Sequence, residues 1–321
     1  MKTFGIIMDP IDSINPKKDS TFALISALQK KCFIEYIYPE TLSFSDGKIS
    51  GKSSKVRVFQ NRKVFYELKH KREIDLNNLD AILFRTDPPV NEKYIQLTYI
   101  LDQIEKKGTL VINSPQSIRD MNEKILGLEL SSKKVSTIIT SNINKLKIFI
   151  KINKKVVLKP LNLMGGKDIR LISSKDKIIE NVLLTLTNNE RKLILAQKYL
   201  PDIKKGDTRI IIYNGKVFPK GLVRYPPKND FRANLSFGGK FEISNISKKY
   251  IPHLENVAEF LRINRIYFAG VDMIGDIITE INITSPTGVQ EIDKNVKNML
   301  SKYIANEFIT IVNSYYSNEV K

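Results

Sequence analysis

The segment with the clearest chemical potential is a pair of apolar strands joined by a glycine-aspartate turn, residues 270–282. Glu280 and Asn282 are two residues apart, so they share one face of their strand. A three-residue loop at 275–277 would place Asp272 opposite Glu280 on that face. Oxygen-bearing side chains suit Mg²⁺, which takes few protein ligands and completes its shell with water and phosphate. The alternative is the solvated polar face of an ordinary antiparallel sheet.

A second candidate group combines Lys159 with the glycine turn at Gly165 and Gly166. Lysine offers a point charge to phosphate oxygens, and glycines let backbone amides approach them. The alternative is a surface lysine that precedes a turn. The strand end at 196–201 could present main-chain groups to an adenine edge, or it could simply leave its sheet.

Arginines near predicted strand ends, or in a long loop, form a third group. Their planar, permanently charged side chains suit carboxylate or phosphate recognition. The alternative is that each arginine is simply a solvated surface residue, as expected in a chain with this many basic residues. These arginines are Arg85, Arg209, Arg224 and Arg232.

Signatures of several other enzyme classes are missing. The run 164–167 is similar to the end of a phosphate-binding Walker motif, but Leu161 stands where the motif needs glycine and Asp168 where it needs serine or threonine. The sequence has no Gly-x-Gly-x-x-Gly after its first strand, no His-Glu-x-x-His and no Gly-x-Ser-x-Gly. The missing motifs argue against a dehydrogenase, a zinc protease and an α/β-hydrolase. The lone Cys32 excludes an internal disulfide.

The first third of the chain predicts alternating strands and helices. Apolar runs at 4–8, 33–38, 80–84 and 110–112 predict strands. Helical spacing at 22–28, capped by Asp19 or Ser20, and at 94–107 predicts helices. This order predicts a mainly parallel, doubly wound α/β sheet covered by helices. Ligands of such sheets bind beyond the carboxyl ends of the strands, where Asp9 and the run 85–87 fall.

From about residue 123 the pattern changes to α+β. Strands are predicted at 138–139, 156–158, 169–172 and 193–197, with helices at 143–152 and 178–186. Further strands are predicted at 209–213, 217–223, 268–274 and 277–283. The proline- and glycine-containing stretch 226–240 predicts a long mobile loop, and loops of this length are usually functional lids or disordered.

The overall composition is that of an ordinary globular protein. The 321 residues carry a formal net charge of +18, but the basic residues are scattered as pairs, so the charge favours small anionic substrates over nucleic acid. No stretch approaches the ~20 apolar residues of a membrane helix, and the N-terminus lacks a cleavable leader pattern. We therefore expect a cytoplasmic protein with no membrane or nucleic-acid partner.

Taken in order, short motifs along the chain are similar to those of bacterial-type glutathione synthetases, members of the ATP-grasp superfamily. The matching stretches are 8–10, 85–89, 113–120, 122–124, 158–160, 164–166, 196–197, 199–201, 206–209, Asp272 and 279–288. They keep the family's order over nearly the whole chain. Each is modest alone, and their joint occurrence is specific.

The resemblance implies a ligase that joins glycine to γ-glutamylcysteine at the expense of ATP, through an acyl phosphate. It implies an N-terminal α/β substrate-binding domain at 1–122 and a two-lobed α+β ATP-grasp module at 123–321. The small lobe would span about 128–201 and the large lobe about 202–316. It also implies two Mg²⁺ ions, with Mn²⁺ as a substitute, and a homo-oligomer, most simply a tetramer.

The resemblance assigns a role to each matching residue. Lys124 and Lys159 would contact the ATP phosphates, with Gly165 and Gly166 as the covering turn. Gln197, Lys198, Tyr199 and Leu200 would flank adenine, and Asp207 would hold the ribose. Asp272, Glu280 and Asn282 would bind the metal ions, and Arg209 and Arg224 would face the acyl phosphate. Arg85 would help to hold the dipeptide, and Arg232 and Asn234 would lie in the lid.

Four positions depart from the family pattern. Leu163 replaces a glycine, the run 228–230 replaces lid glycines, Lys240 replaces an arginine, and Gln290 replaces a basic residue. We expect these changes to affect lid closure before chemistry. Two other functions stay open from the sequence: another ATP-grasp peptide or amino-acid ligase, and a non-catalytic nucleotide- or nucleic-acid-binding protein.

Overall fold

The computed structural model describes residues 1–235, 238–297 and 299–319. Strands of the N-terminal part form one mixed sheet in the order β3-β4-β2-β1-β6-β7, with β5 paired to β4. The strands are β1 (Thr3–Met8), β2 (Phe33–Ile37), β3 (Ser43–Ser45), β4 (Lys48–Val58), β5 (Tyr66–Asp75), β6 (Ala81–Arg85) and β7 (Leu110–Ile112). The helices are α1 (Ser20–Leu28), α2 (Glu92–Lys106) and α3 (Pro115–Asp120).

The parallel core of this sheet confirms the predicted α/β arrangement. Strands β2, β1, β6 and β7 pair in parallel, and β1 is buried along both faces. Ile6 belongs to the core beneath α1, whereas Ile7 belongs to the core beneath α2. A continuous apolar strand is what burial on both faces requires.

The long β4-β5 hairpin was not predicted. It pairs antiparallel with β2 and extends the sheet. Its sequence is rich in lysine, serine and glutamate, so it lacks the apolar run that indicates a strand from sequence.

The middle of the chain forms a separate antiparallel sheet in the order β10-β9-β11-β8, covered by two helices. Its elements follow α4 (Glu123–Leu130) and are β8 (Thr137–Thr140), α5 (Ile143–Asn153), β9 (Lys155–Pro160), β10 (Arg170–Ser173), α6 (Ile179–Thr187) and β11 (Ile194–Lys198). The predicted strands and both predicted helices of this part are confirmed within a few residues.

The last part forms an antiparallel sheet in the order β15-β14-β12-β16-β17, with β13 paired to β12. Its elements are β12 (Asp207–Tyr213), β13 (Lys216–Val217), β14 (Lys220–Tyr225), β15 (Lys240–Asn245), α7 (Ile251–Ile263), β16 (Phe268–Ile274), β17 (Ile277–Asn282), α8 (Val289–Asn295) and α9 (Met299–Glu319). The single strand predicted at 217–223 is wrong: Pro219 separates β13 from β14, because proline cannot donate a ladder hydrogen bond. Within the described range, no helix is long and apolar enough to cross a membrane.

The β16-β17 hairpin turns more tightly than predicted. Ile274 pairs with Ile277 across a two-residue turn, so the predicted three-residue loop is wrong. The register then shifts, because Met273 pairs with Ile278 and Asp272 pairs with Glu280. The turn is one residue shorter than predicted, and the bulge adds one residue on β17. The two differences cancel, so the predicted position of Asp272 opposite Glu280 is confirmed.

Asn113 joins the N-terminal sheet to this hairpin. Its buried amide donates to the carbonyl oxygens of Phe268 and Ile283, each at 2.7 Å. Its Oδ1 accepts from the backbone of Tyr267 at 2.8 Å and of Phe268 at 2.9 Å. One side chain thus holds the start of β16 and the end of β17, the strands that carry Asp272 and Glu280.

Candidate active site

The candidate site is a cleft between the middle and last sheets. Its walls include Lys159 on β9, the 197–200 segment at the end of β11, and Asp207 on β12. Asp272 and Glu280 lie at its floor, and residues 231–234 of the lid segment cover it. The structure therefore brings most of the predicted nucleotide-binding residues into one cavity.

Lys159 and Gln197 mark one end of this cleft. Lys159 Nζ donates to Gln197 Oε1 at 3.1 Å across neighbouring strands. Burial lowers the pKa of the Lys159 ammonium, although the Glu280 carboxylate opposes that shift. An anionic ligand in the cleft would favour the charged form of this lysine.

Two arginines and two aspartates form a buried network in the last sheet. Arg209 donates to Asp272 through Nε at 2.5 Å and through Nη2 at 2.8 Å. Arg224 Nη2 contacts Asp207 Oδ2 at 2.5 Å and Asp272 Oδ1 at 2.9 Å. The strand register places these pairs side by side, since Arg209 lies opposite Asp272 and Asp207 opposite Arg224. The charges within the network cancel.

The two aspartates of the network have different proton affinities. Burial alone would raise the pKa of Asp272, but Arg209 and Arg224 together hold it well below its usual range. Burial raises the pKa of Asp207 to about 6, despite the opposing charge of Arg224. Asp207 Oδ1 and Arg224 Nε are buried and find no hydrogen-bond partner among the described residues. Such unsatisfied groups are costly unless a ligand pairs with them.

Lys124 and Glu280 form the next layer. Lys124 Nζ, near the start of α4, donates to Glu280 Oε1 at 3.0 Å and to the carbonyl of Leu163 at 2.7 Å. Asn122 Nδ2 donates to the carbonyl of Leu161 at 2.9 Å. The N-terminal end of α4 therefore fixes the loop that carries Gly165 and Gly166, whose φ angles are +65° and +79°.

Glu123, which lies between those two anchors, had no predicted role. Its Oε1 accepts from the backbone of Ile283 at 2.7 Å and of Thr284 at 3.0 Å, and from the Thr284 hydroxyl at 2.9 Å. Burial, and then the nearby Glu280 carboxylate, raise the pKa of Glu123. The carboxylate fixes the chain directly after Asn282, a contact across 160 residues that no local pattern reveals.

The predicted metal ligands share the cavity wall but have different partners. Asn282 Nδ2 donates to Asp272 Oδ2 at 3.2 Å, while Glu280 is paired with Lys124. Both carboxylate oxygens of Asp272 are occupied by arginine. Across residues 1–235, 238–297 and 299–319, no cluster of three His, Cys, Asp or Glu side chains is arranged around a common metal position. Glu280 and Asn282 fit a hard cation by donor type, since both offer oxygen.

A second cavity adjoins the cleft on the far side of Asp272. Its walls include Arg209, Arg224, Asn282, Met164 and Gly165. It continues past the loop 285–288 to Lys18 and Glu291. Neither of these last two residues was predicted, because a single charged residue in a loop or short helix carries no sequence signal.

Arg85 lies beneath the second cavity, outside its lining. Its Nη2 donates to the carbonyl of Pro286 at 2.9 Å and its Nε to the Thr21 hydroxyl at 3.1 Å. Burial lowers its pKa, although Asp19 and Asp87 oppose that shift. Arg85 thus supports the 285–288 loop from the N-terminal sheet.

The lid arginine contacts the glycine turn. Arg232 Nη1 donates to the carbonyl of Gly166 at 3.3 Å, and its guanidinium pairs with Asp230 at 2.6 Å. Hydrogen bonds from Arg232 lower the pKa of Asp230. Asn234 lines both cavities. The predicted lid also includes 236 and 237, which lie outside the described residues.

Comparison with known families gives two matches that together cover most of the chain. The family model described as the prokaryotic glutathione synthetase N-terminal domain matches residues 1–119. The model described as the prokaryotic glutathione synthetase ATP-grasp domain matches residues 123–297. The gap between them falls at the start of α4.

Curated relatives are similar over nearly their whole length. A glutathione synthetase of Buchnera aphidicola subsp. Baizongia pistaciae is 41% identical over 94% of this chain and 93% of its own. A glutathione synthetase of Coxiella burnetii is 38% identical over 98% of this chain and 97% of its own.

Solved structures of ATP-grasp enzymes share the fold at low identity. D-cycloserine synthetase DcsG superposes with a TM-score of 0.65 at 11% identity, covering 97% of this chain and 99% of its own. An ATP-grasp ligase from Chryseobacterium gregarium gives a TM-score of 0.61 at 15% identity, covering 95% of this chain and 96% of its own. The predicted arrangement, an N-terminal α/β domain followed by an ATP-grasp module, is confirmed.

Proposed function

The chain belongs to the prokaryotic glutathione synthetase family, and we propose that it joins glycine to γ-glutamylcysteine with conversion of ATP to ADP and phosphate. One observation carries this proposal most directly: Asp272 and Glu280 line both cavities, so the two cavities meet there. Arg209 and Arg224 line the second cavity and pair with Asp272 at this junction. One cavity suits a nucleotide and the other a small anionic substrate. Phosphoryl transfer from ATP to a substrate carboxylate needs that junction.

Several contacts support nucleotide binding in the cleft. The 197–200 segment supplies the adenine-flanking wall, and the unsatisfied Oδ1 of Asp207 suits a ribose hydroxyl. Lys159 and Gly166 line the cleft, Gly165 lines the adjoining cavity, and Lys124 pairs with Glu280 at the floor of the cleft. Both lysines would contact the phosphates, and the two glycine amides would cover them. When the nucleotide binds, the Lys124 ammonium would leave Glu280 and contact a phosphate instead.

The proposed chemistry needs no nucleophile from the protein. The cysteinyl carboxylate attacks the γ-phosphorus, ADP leaves, and an acyl phosphate forms. The glycine amine then attacks the acyl carbon, phosphate leaves, and the amine gives up a proton. Arg209 and Arg224 would bind the oxygens on which negative charge develops, so they act through positioning and charge stabilisation.

Mg²⁺ is part of this proposal, with Mn²⁺ as a substitute. Asp272, Glu280 and Asn282 would hold the ions, and Asp272 also orients the Asn282 amide, which donates to it at 3.2 Å. When bound, the ions would neutralise phosphate charge during transfer. Substrate-binding roles for Arg85, Arg232 and Asn234 belong to the proposal as well, with Arg85 acting through the 285–288 loop.

Other features of the protein also stay proposals. We place the N-terminal substrate-binding domain at 1–122 and the ATP-grasp module at 123–321, with lobes at about 128–201 and 202–316. The break at residue 122 is supported by the change from the mixed sheet to α4. A homo-oligomer, most simply a tetramer, and a cytoplasmic location complete the proposal.

A substrate-omission assay tests the function. With γ-glutamylcysteine, glycine, ATP and Mg²⁺, we expect ADP release and a product with the mass of glutathione, both lost when any one component is omitted. ADP release that ignores omission of the dipeptide would contradict the proposal. Faster turnover with an acceptor other than glycine would indicate a different peptide ligase. Asn282→Ala should abolish turnover, whereas the exposed control Asn181→Ala on α6 should not.

A further inference from the structure

A third cavity lies between the loop that joins β4 to β5 and helix α8. Its volume is about 700 Å³, which is within the range of pockets that hold small-molecule ligands. The β4-β5 loop, at 59–65, forms most of its lining, and α1, the loop before α1, and α8 complete it. The proposed catalysis gives this cavity no role.

Four cationic side chains line the third cavity. They are Lys17, Arg62, Lys63 and Lys294. All four are exposed, and within the described ranges none of them forms an ion pair. None of the described residues that line the cavity is Asp or Glu. Like charges around one cavity repel one another, and a multiply charged anion would relieve that repulsion.

Aromatic rings form the apolar part of the same lining. Phe22 and Phe65 pack edge to face with their ring centroids 6.0 Å apart, and both line the cavity. The Arg62 guanidinium lies 4.8 Å from the centroid of the Phe59 ring, which also lines it. A nucleobase can stack on such a ring or on a guanidinium plane. The lining also has side-chain amides that can donate to and accept from the edge of a base, Gln60 and Asn61.

The third cavity is separate from the second cavity. No described residue lines both, and the loop before α1 lies between them, with Lys17 lining the third cavity and Lys18 the second. Gln290 Nε2 fixes this loop on α8, because it donates to the carbonyl of Pro16 at 2.8 Å and of Asp19 at 3.1 Å. The hydrogen-bonded loop is therefore a wall, and a ligand of the third cavity does not have to enter the substrate path.

We propose that the third cavity binds a nucleotide, with the phosphates at the four cations and the base on the aromatic rings. A plain phosphate would leave the rings unused, and an uncharged nucleoside would leave the cations without a counter-charge. A nucleotide uses both, and the cavity has room for one. This site is additional to the ATP site of the catalytic cleft, and its occupation does not depend on turnover.

Equilibrium dialysis that counts the nucleotides bound per chain tests the proposal. Labelled ADP, GDP, UDP and CDP are each dialysed against the unmodified protein and the variant Arg62→Gln/Lys63→Gln. For at least one of them, we expect the unmodified protein to bind one more nucleotide per chain, with a Kd below about 1 mM. Two lost contacts to charged groups should weaken this site by about 100-fold or more in the variant. Equal stoichiometry for all four nucleotides would overturn the proposal.

A matched variant on the same hairpin controls for net charge. Lys55→Gln/Arg57→Gln also removes one lysine and one arginine, both of which are exposed on β4 and outside the third cavity. This control should bind the additional nucleotide as the unmodified protein does. If it loses the additional nucleotide as fully as the Arg62→Gln/Lys63→Gln variant, general charge and not a site is responsible, and the assignment is overturned.

Competition separates a nucleotide from other anions. Phe59→Leu should weaken the additional site by about 5-fold or more, and inorganic phosphate should displace the nucleotide only at concentrations at least about 10-fold higher than the nucleotide itself. Phosphate that competes as well as the nucleotide, or displacement by γ-glutamylcysteine, would overturn the assignment, because the cavity would then hold a plain anion or the dipeptide.

Two further outcomes keep this proposal apart from others. Single-stranded RNA that binds the unmodified protein but not the Arg62→Gln/Lys63→Gln variant, with equal nucleotide stoichiometry in both, would show a macromolecular partner and overturn the nucleotide assignment. The dialysis needs no turnover, so a protein that makes no glutathione but binds the additional nucleotide would contradict only the proposed function.

Discussion

The ion pair between Lys124 and Glu280 joins α4 to β17, and Glu280→Gln breaks it. The side chain of Lys124 is 3% exposed and that of Glu280 is 21% exposed. After the substitution, the Lys124 ammonium still donates to the carbonyl of Leu163 at 2.7 Å. It loses the Glu280 carboxylate, which is the only carboxylate within hydrogen-bond distance of it among the described residues. Breaking a buried pair costs ~3–5 kcal/mol, and the partial exposure of Glu280 places this one near 3.

Thermal and denaturant unfolding of the ligand-free protein measures this cost. For a cooperative unit of about 200 residues, a loss of about 3 kcal/mol lowers the Tm by ~6–12 °C. The double variant Lys124→Met/Glu280→Gln should be more stable than the sum of the two single losses predicts, because no charge then remains unpaired. The control Glu129→Gln replaces an exposed carboxylate on the same helix and should change stability by less than about 0.5 kcal/mol.

Ligand binding gives a second readout of the same variant. At about 100 times its Kd, Mg·ADP should stabilise the unmodified protein by ~2.7 kcal/mol. Glu280→Gln should lose most of the Mg²⁺-dependent part of that gain. A ligand-free Tm equal to that of the unmodified protein would refute the buried-pair reasoning. If Glu280→Gln keeps the full Mg²⁺-dependent stabilisation, the proposed metal role of Glu280 is refuted.

Two further predictions concern the same strands. The pKa of Asp207 is raised from 3.8 to about 6, so the folded state binds its proton more tightly than the unfolded state between those values. Its contribution to stability is therefore full at low pH and is lost as pH rises through 6, by up to ~3 kcal/mol. In urea unfolding, the destabilisation caused by Asp207→Asn should be greater at pH 4.5 than at pH 7.5; the opposite trend would show that burial does not dominate this carboxyl. Separately, Gly127→Ala should destabilise the protein by about 1–2 kcal/mol despite the better helix propensity of alanine. Its new Cβ would lie 2.8 Å from the backbone nitrogen of Glu280, so the urea midpoint should fall, and a rise would mean that β17 moves freely.

The positions that depart from the family pattern have taken on contacts within the protein. The carbonyl of Leu163 accepts from Lys124, and Gln290 holds the loop that carries Lys18. Asp230, where the resemblance expects lid glycine, pairs with Arg232. This pair lies within the lid and orients Arg232, whose Nη1 donates to the carbonyl of Gly166 at 3.3 Å, so lid opening has to break that charge-assisted contact.

Much of the site was predictable because its signals are local. Side chains alternate along a strand, so the sequence placed Glu280 and Asn282 on one face without reference to any other element. Apolar runs identified the parallel strands of the N-terminal sheet, because a strand that is buried on both faces is apolar along its length. The predicted opposition of Asp272 and Glu280 was confirmed although its predicted loop was wrong, since a two-residue turn plus a one-residue bulge gives the same register.

The sequence by itself determined the strand faces, the hairpin and the order of the family motifs. Only the tertiary structure decided which charges neutralise one another. Asp272 is enclosed by Arg209 and Arg224 because β12 lies between β14 and β16, and Lys124 reaches Glu280 across 156 residues because α4 packs on β17. Such pairings depend on which distant elements become neighbours, and the periodicity of a single segment carries no information about its neighbours.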